Sequence, residues 1–230
     1  MEFSYLEFEN RHRGSSSQVK REQEGYLRFF EGKSRIVDIG CGRGEFLELL
    51  VGRGAASAYG VEINDEMRLH AGEKGLTVLG EEGLSHLKGL PSGSLEGIFL
   101  SHVAEHLHPR DLMALVAESH RVLAEGSFFV AETLNPGCLF SLGPYFMDPT
   151  HVAPVHPLTL KFILEAAGFH SLEFLYRQYL PPEFLELEPL PPGPGAPTAL
   201  EEAYRKTVFR LQLIINAAFK DFIYSVAARR

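Results

Sequence analysis

Two hydrophobic rhythms alternate along this chain. Short apolar runs bounded by glycine or charge give way to stretches whose apolar positions return at helical spacing, and then to another short run. The first rhythm is that of buried strands, the second that of amphipathic helices. Read this way, residues 35–39, 58–63, 76–79, 97–103, 127–132, 172–179 and 222–227 are predicted strands. Helices are predicted over 16–30, 44–53, 65–73, 110–124, 156–167 and 198–219. The helix over 110–124 carries the clearest stripe, with Leu112, Leu115, Val116, Val122 and Leu123 on one side.

Strands and helices alternating at these lengths imply βαβ units. The expected fold is an α/β, doubly wound, Rossmann-like sheet, mostly parallel, with helices on both faces. A helix joins the last two strands and permits either direction, so an antiparallel strand at that edge is expected. Two loops stand out. Residues 135–157 form a long connection rich in glycine and proline, of a length that compact domains reserve for function. Residues 181–197 are proline-rich and read as a semi-rigid surface excursion.

Composition narrows the class. With 45% hydrophobic and 23% charged residues among 230, the chain is ordinary globular protein, one generous domain in size. Its 22 basic and 30 acidic residues leave a net charge of -8, which disfavours nucleic acid as a partner. No apolar run approaches the length of a bilayer span. The opening residues lack a signal peptide's apolar stretch, and two cysteines make no disulfide framework, so a cytoplasmic location is expected.

The first strand runs straight into Asp38-Ile39-Gly40-Cys41-Gly42-Arg43-Gly44. Gly40 and Gly42 let the backbone turn sharply and meet a ligand without a side chain between. Gly44 opens a helix whose free N–H groups face the same place. Glu62, at the end of the second strand, stands where a carboxylate accepts from both hydroxyls of a ribose. The glycine spacing is G-x-G-x-G and departs from the dinucleotide fingerprint G-x-G-x-x-G.

Residues 37–46 resemble motif I of the class I S-adenosylmethionine-dependent methyltransferases. The similarity extends through Gly60-Val61-Glu62-Ile63-Asn64, Glu82-Gly83-Leu84, residues 101–107 and residues 132–137. Residues 148–157 resemble the methyltransferases found with polysaccharide-assembly enzymes, including those that cap O-antigen chains. This resemblance implies residues 35–230 as the methyltransferase domain, with 135–157 on the acceptor side, and residues 1–34 as a helical segment covering the cofactor. It implies S-adenosylmethionine as cofactor, released as S-adenosylhomocysteine. Gly40 and Gly42 would lie against the methionine part, Asp38 would fix that loop and the amino group, and Glu62 would hold the ribose. Glu82 would meet the adenine amine, with Gly83 reaching the ring and Ser101 bordering the methyl. Cys41, Gly44 and Ile63 complete the implied cofactor positions, and Arg13 is placed to pair with the methionine carboxylate. The family more often has Asp where Glu62 and Glu82 stand.

Methyl transfer from a sulfonium needs positioning first, and a base only when the acceptor is neutral. His102 and His151 are the candidates for catalysis, since each stands where a loop meets the mouth of the site. His106, Tyr145, Asp148 and His156 are candidates for holding a small-molecule or glycan acceptor, with oxygen the expected acceptor atom. Residues 102–106 match the zinc-protease pattern H-x-x-E-H literally, but that chemistry needs one continuous helix where a strand is ending here, so no metal is expected. Two alternatives stay open: a non-catalytic cofactor-binding scaffold of the same fold, and a small-molecule O-methyltransferase like those of quinone biosynthesis. After the fourth strand there is no Asn-Pro-Pro-Tyr-like tetrapeptide of the kind that amino-group methylases of nucleic acid place there.

Overall fold

Strands form where the chain is apolar on both sides, and the burial of each strand marks its place in the sheet. In the computed structural model, which describes residues 4–178, 185–187 and 198–230, β1 (Ile36–Ile39) is buried at every position and β4 (Leu95–Ser101) at all but one. β2 (Tyr59–Val61), β3 (Val78–Leu79), β5 (Leu123–Leu134), β6 (His170–Arg177) and β7 (Ile223–Arg229) complete a sheet of order β3-β2-β1-β4-β5-β7-β6. Strands β3, β2, β1, β4 and β5 pair in parallel, and β7 is antiparallel to both β5 and β6. The antiparallel strand expected at this end is therefore present, one position in from the edge. Strand order reverses between β1 and β4, and the carboxyl ends there form a crevice of the kind that binds ligands in open α/β sheets.

Alternation along the strands divides the core in two. Val37, Ile39, Ile98 and Leu100 pack with α5 (Gly83–Gly89), α6 (Pro109–Val122) and α8 (Pro157–Ala166) on one face. Phe99 points to the other face and stacks on Phe46 of α3 (Glu45–Gly52), ring centroids 3.8 Å apart, with Phe30 set edge-on to both. α4 (Asp65–Glu73) follows β2, capped by the Asn64 side chain. Among the described residues, no helix is long and apolar enough to cross a membrane.

Four departures from the sequence reading have identifiable causes. The helix over 16–30 is two elements: α2 (Ser16–Gln23) and a 3-10 turn (Glu24–Phe30). Gly25 weakens the α-helix, and the tighter turn brings Tyr26, Phe29 and Phe30 all inward. α1 (Tyr5–His12) is only two turns long, too short for Tyr5, Leu6 and Phe8 to mark a stripe, and has no buried residue; Ser4 caps it and binds Glu66 on α4. α5 was not anticipated because it is only two turns long, and Glu82 caps it. The 135–157 connection contains a 3-10 turn (Leu139–Ser141) and α7 (Leu142–Met147). The helix before β7 is found as expected, α9 (Thr198–Phe219), with no buried residue. The proline-rich excursion lies outside the described residues except for 185–187.

One glycine holds the sheet against the motif loop by its size alone. A Cβ at Gly60 of β2 would stand 2.4 Å from Cys41 Sγ and 2.8 Å from Leu47 Cδ1, whereas one at Gly72 of α4 would meet nothing within 4 Å. Gly60→Ala is expected to cost about 1–3 kcal/mol by overpacking. Gly72→Ala is expected to stabilise by about 0.5–1 kcal/mol through helix propensity. Thermal melts of the two variants, moving in opposite directions from the parent, check this.

Candidate active site

The motif loop leaves β1 as the strand burial foresaw. Gly40 and Gly42 have φ of +65° and +53°, the left-handed region that glycine enters freely, and a Cβ at Gly40 would collide with Val103 at 2.4 Å. The Gly42 N–H donates to Glu62 Oε2 at 2.9 Å and the Asn64 N–H to Oε1 at 2.8 Å. Both oxygens of Glu62 thus have one backbone partner and one lone pair left. Ile63, beside it, is 73% exposed, an apolar face at the rim of the crevice. Cys41 turns inward: its side chain packs in the core, and burial pushes its thiol up, so only its backbone can serve a ligand in the crevice.

Charge in the crevice is one-sided. Burial pushes the Asp38 carboxyl well up, with Glu62 and Glu45 adding to that push and Arg13 opposing it. Burial raises Glu62 as well. Arg13, whose position could equally have been a solvated surface one, reaches in from the end of α1: Nη1 binds Glu9 at 3.1 Å, and Nη2 lies 3.5 Å from Ser101 Oγ. Its Nη1 would be the nearest atom, at 3.4 Å, to a Cβ on Gly42. Arg43, which the sequence reading passed over, ties the same segment down by donating to Asn10 Oδ1 at 2.9 Å and to the Gly14 carbonyl at 3.2 Å. A charged residue inside a glycine loop was the available signal.

Beneath α1 lies a cavity of about 700 Å³ over the ends of β4 and β5. At its base is Glu132, 2% exposed, another residue not singled out, although a carboxylate closing an apolar strand was a readable sign. It accepts from the Tyr26 hydroxyl, from Ser101 Oγ at 3.1 Å and from Arg177 Nη2 at 3.0 Å. His102 sits above it at φ +54°. Its Nδ1 is 3.0 Å from Oε1 of the buried Glu105, and its Nε2 is 3.6 Å from Glu132 Oε1. Burial alone would lower the His102 imidazole, but the bond and charge of Glu105, helped by Glu132, raise it. Burial alone would raise Glu105, but His102 outweighs it and the carboxyl falls to about 2.

The cavity's far wall gathers His106, Asp148 and His151. His151 stacks on Tyr145, with ring centroids 4.9 Å apart, and its Nδ1 is 2.6 Å from the Tyr145 carbonyl. Asp148 accepts from the Thr150 N–H at 2.8 Å, from its hydroxyl at 2.6 Å and from the Tyr5 hydroxyl at 2.9 Å. Those bonds hold its carboxyl below the usual range despite burial.

Three expected residues are placed otherwise, and the first is Tyr145, which packs with Leu134 and Ile223 behind the wall because its ring is taken up by that apolar cluster. His156 is exposed and does not line the cavity; its Nδ1 caps α8 by accepting from the Leu158 N–H at 3.2 Å. A histidine before a proline is read as easily as a cap as a ligand. Glu82 spends its carboxylate on the start of α5, accepting from the Leu84 and Ser85 N–H groups at 3.1 and 2.8 Å and from the Ser85 hydroxyl at 2.6 Å. Gly83 packs against Ile39, whose Cγ2 would be 2.4 Å from a Cβ there. The zinc-protease pattern is not on one helix: His102 follows β4 directly, and residues Ala104–His106 make a single 3-10 turn.

This crevice fits S-adenosylmethionine. The bare loop and free helix start admit its methionine end, the excess buried carboxylates suit its positive charge, and Glu62 with Ile63 offer lone pairs and an apolar face for a nucleoside. The comparisons agree. A family model described as "Methyltransferase domain" matches residues 11–173. A SAM-dependent methyltransferase from Archaeoglobus fulgidus is 35% identical, with 99% of this chain and 100% of that chain covered and a TM-score of 0.89. A methyltransferase from Thermotoga maritima, described as a possible histamine N-methyltransferase, is 16% identical over 93% and 90% of the two chains, with a TM-score of 0.63. Phosphoethanolamine N-methyltransferase 2 from Haemonchus contortus, solved with S-adenosyl-L-methionine, is 14% identical over 100% of this chain and 60% of that one, TM-score 0.64. The last two share the fold alone. No curated protein matches. From the geometry of its crevice and from these matches, the chain belongs to the S-adenosylmethionine-dependent methyltransferases, and S-adenosylmethionine is its cofactor.

Proposed function

We propose that the enzyme methylates a hydroxyl oxygen of a small-molecule or glycan acceptor, with His102 as general base. The observation that carries this reading is the His102–Glu105 pair at the floor of the cavity. A neutral hydroxyl needs a proton acceptor as it attacks, and an imidazole held by a buried carboxylate on Nδ1 presents Nε2 as that acceptor. Glu132, on the Nε2 side, stabilises the imidazolium that results. The bound cofactor supplies an electrophilic methyl on a positively charged sulfur. Asp38 and Arg13 hold its charged methionine end, Gly40, Gly42 and Gly44 give the close approach, Glu62 takes the ribose, and Ile63 covers the base. Glu82 acts on the adenine side through the start of α5 that it caps. Residues 1–34 act as the cover: the start of α1 is anchored to Glu66 and Asp148 through Ser4 and Tyr5, its other end brings in Arg13, and water is excluded beneath it.

The acceptor side is built by residues 135–157, with His106, Asp148 and His151 facing the cavity and Tyr145 backing His151 from behind. The resemblance of residues 148–157 to methyltransferases of polysaccharide assembly supports a sugar hydroxyl as the acceptor. A quinone-type phenol is the second reading, supported by the segment after β4. Transfer of labelled methyl to a panel of sugars, phenols and amines, with the product's methyl located by NMR, tests the assignment; an N-methyl product would overturn it.

Replacing Glu62 by Ala is expected to weaken S-adenosylhomocysteine binding by about 1–3 kcal/mol through lost hydrogen bonds to a charged group, read by calorimetry. His102→Ala is expected to lower kcat by about 10²–10⁴-fold while cofactor affinity stays unchanged. Because Glu105 raises His102, and the base works only when deprotonated, Glu105→Gln is expected to move the acid limb of the kcat/KM profile to lower pH. A limb that stays in place or moves to higher pH would remove His102 from the proton's path.

A further inference from the structure

The cavity's far wall holds a group of side chains that general base chemistry does not use. Side-chain donor atoms of His106, Asp148 and His151, one from each, lie within 4.8 Å of one another. The two histidine rings are 4.6 Å apart between centroids, and His151 Nε2 is 3.9 Å from Asp148 Oδ2. Asp148 is 8% exposed, yet the group lies open to the cavity on one side.

Hydrogen bonds outside the group decide which atoms can act as donors. The His151 Nδ1 faces the Tyr145 carbonyl, which only accepts, so Nδ1 carries the proton and Nε2 the lone pair. The Thr150 hydroxyl has one proton, and the Asp148 carboxylate, an acceptor only, takes it at 2.6 Å. The hydroxyl therefore accepts from His106 Nδ1 at 3.0 Å, and His106 too bears its lone pair on Nε2. Asp148 Oδ2, which accepts from Tyr5, keeps a second lone pair. Both imidazoles are thus fixed in the tautomer that a metal requires, by a backbone carbonyl in one case and a hydroxyl–carboxylate relay in the other.

We propose that His106, Asp148 and His151 bind one divalent transition-metal ion on the wall of the methyl-acceptor cavity. With one donor atom from each residue no more than 4.8 Å apart and His151 Nε2 already 3.9 Å from Asp148 Oδ2, small side-chain movements bring both imidazoles and the carboxylate to bonding distance of one ion. Two imidazoles and one carboxylate select zinc, cobalt, nickel or ferrous ions over magnesium and calcium. The nearby Glu105 adds negative charge: it is 1% exposed, one of its oxygens has no hydrogen-bond partner, and its field reaches His106. Three protein ligands leave coordination positions open, and these face the cavity, where an oxygen of the acceptor would complete the shell. This last clause rests on the oxygen-acceptor reading; the metal site itself does not. It also reverses the expectation that the chain takes no metal, and gives His106 of the H-x-x-E-H pattern a partner set other than the one that pattern suggests.

The test is to strip the full-length protein with a chelator and titrate it with Co2+ and with Zn2+, following visible d–d bands and calorimetric heat. One ion per chain is expected, with Co2+ bands of a nitrogen-and-oxygen site and no displacement by excess Mg2+. His151→Ala and Asp148→Asn are expected to abolish the bands, Thr150→Val to weaken binding about 10–100-fold, and the exposed-site control His170→Ala to leave it unchanged. S-adenosylhomocysteine binding by the same variants, expected to persist, separates a failed metal site from a failed cofactor site. Absence of stoichiometric Co2+ or Zn2+ binding by the parent protein would overturn the proposal, as would binding indifferent to these substitutions or displaced by Mg2+.

Discussion

Glu132 is a carboxylate that the fold has taken out of water, and the site is organised around giving its oxygens hydrogen-bond partners there. A buried charge without partners costs several kcal/mol, so its oxygens collect donors from distant parts of the chain. Tyr26 comes from the 3-10 turn, Ser101 from β4, Arg177 from β6, and His102 faces it from the loop after β4. Satisfying one carboxylate therefore fixes the N-terminal segment, strands β4, β5 and β6 and the base of the cavity relative to one another.

The cofactor crevice and the cavity beneath α1 divide the chemistry by charge. The crevice at the β1 loop has more buried carboxylate than counter-charge, with Arg13 opposing Asp38 and Glu62 and, together with the ion-paired Arg43, Glu45. A positively charged ligand relieves that imbalance. In the cavity the ionisable groups come in bonded pairs, His102 with Glu105 and the His106–Thr150–Asp148 chain, which hold protons at defined atoms. Arg13 lies between the two regions, touching Ser101 and the approach to Gly42. α1, the element that carries it there, has no fully buried residue and is tied to its surroundings by the Ser4–Glu66 and Tyr5–Asp148 hydrogen bonds.

Much was legible before the structure. The alternation of strand and helix gave the doubly wound sheet, because backbone hydrogen bonding and side-chain period leave few other ways to bury that pattern. Motif I identified the cofactor loop because only glycine fits its backbone and the close approach at Gly40. Short elements escaped: α1 and α5 are about two turns each, too short to show an apolar period. Of the residues missed in the site, Arg43 and Glu132 are charged positions whose partners lie many residues away, and Glu105 serves His102 three residues before it, just past the end of β4.

The sequence by itself determined the local facts: which segments are strands, where the chain must turn on glycine, and which cofactor the first loop accepts. These follow from periodicity and from the steric freedom of single residues, which act over a few positions. The tertiary structure alone decided what the histidines do. It gave His102 to Glu105, sent His156 away as a helix cap, and brought His106 beside Asp148 and His151. Tautomer, protonation and ligand geometry depend on neighbours within a few ångströms in space, and here those neighbours come from the loop after β4, the 135–157 connection and α1.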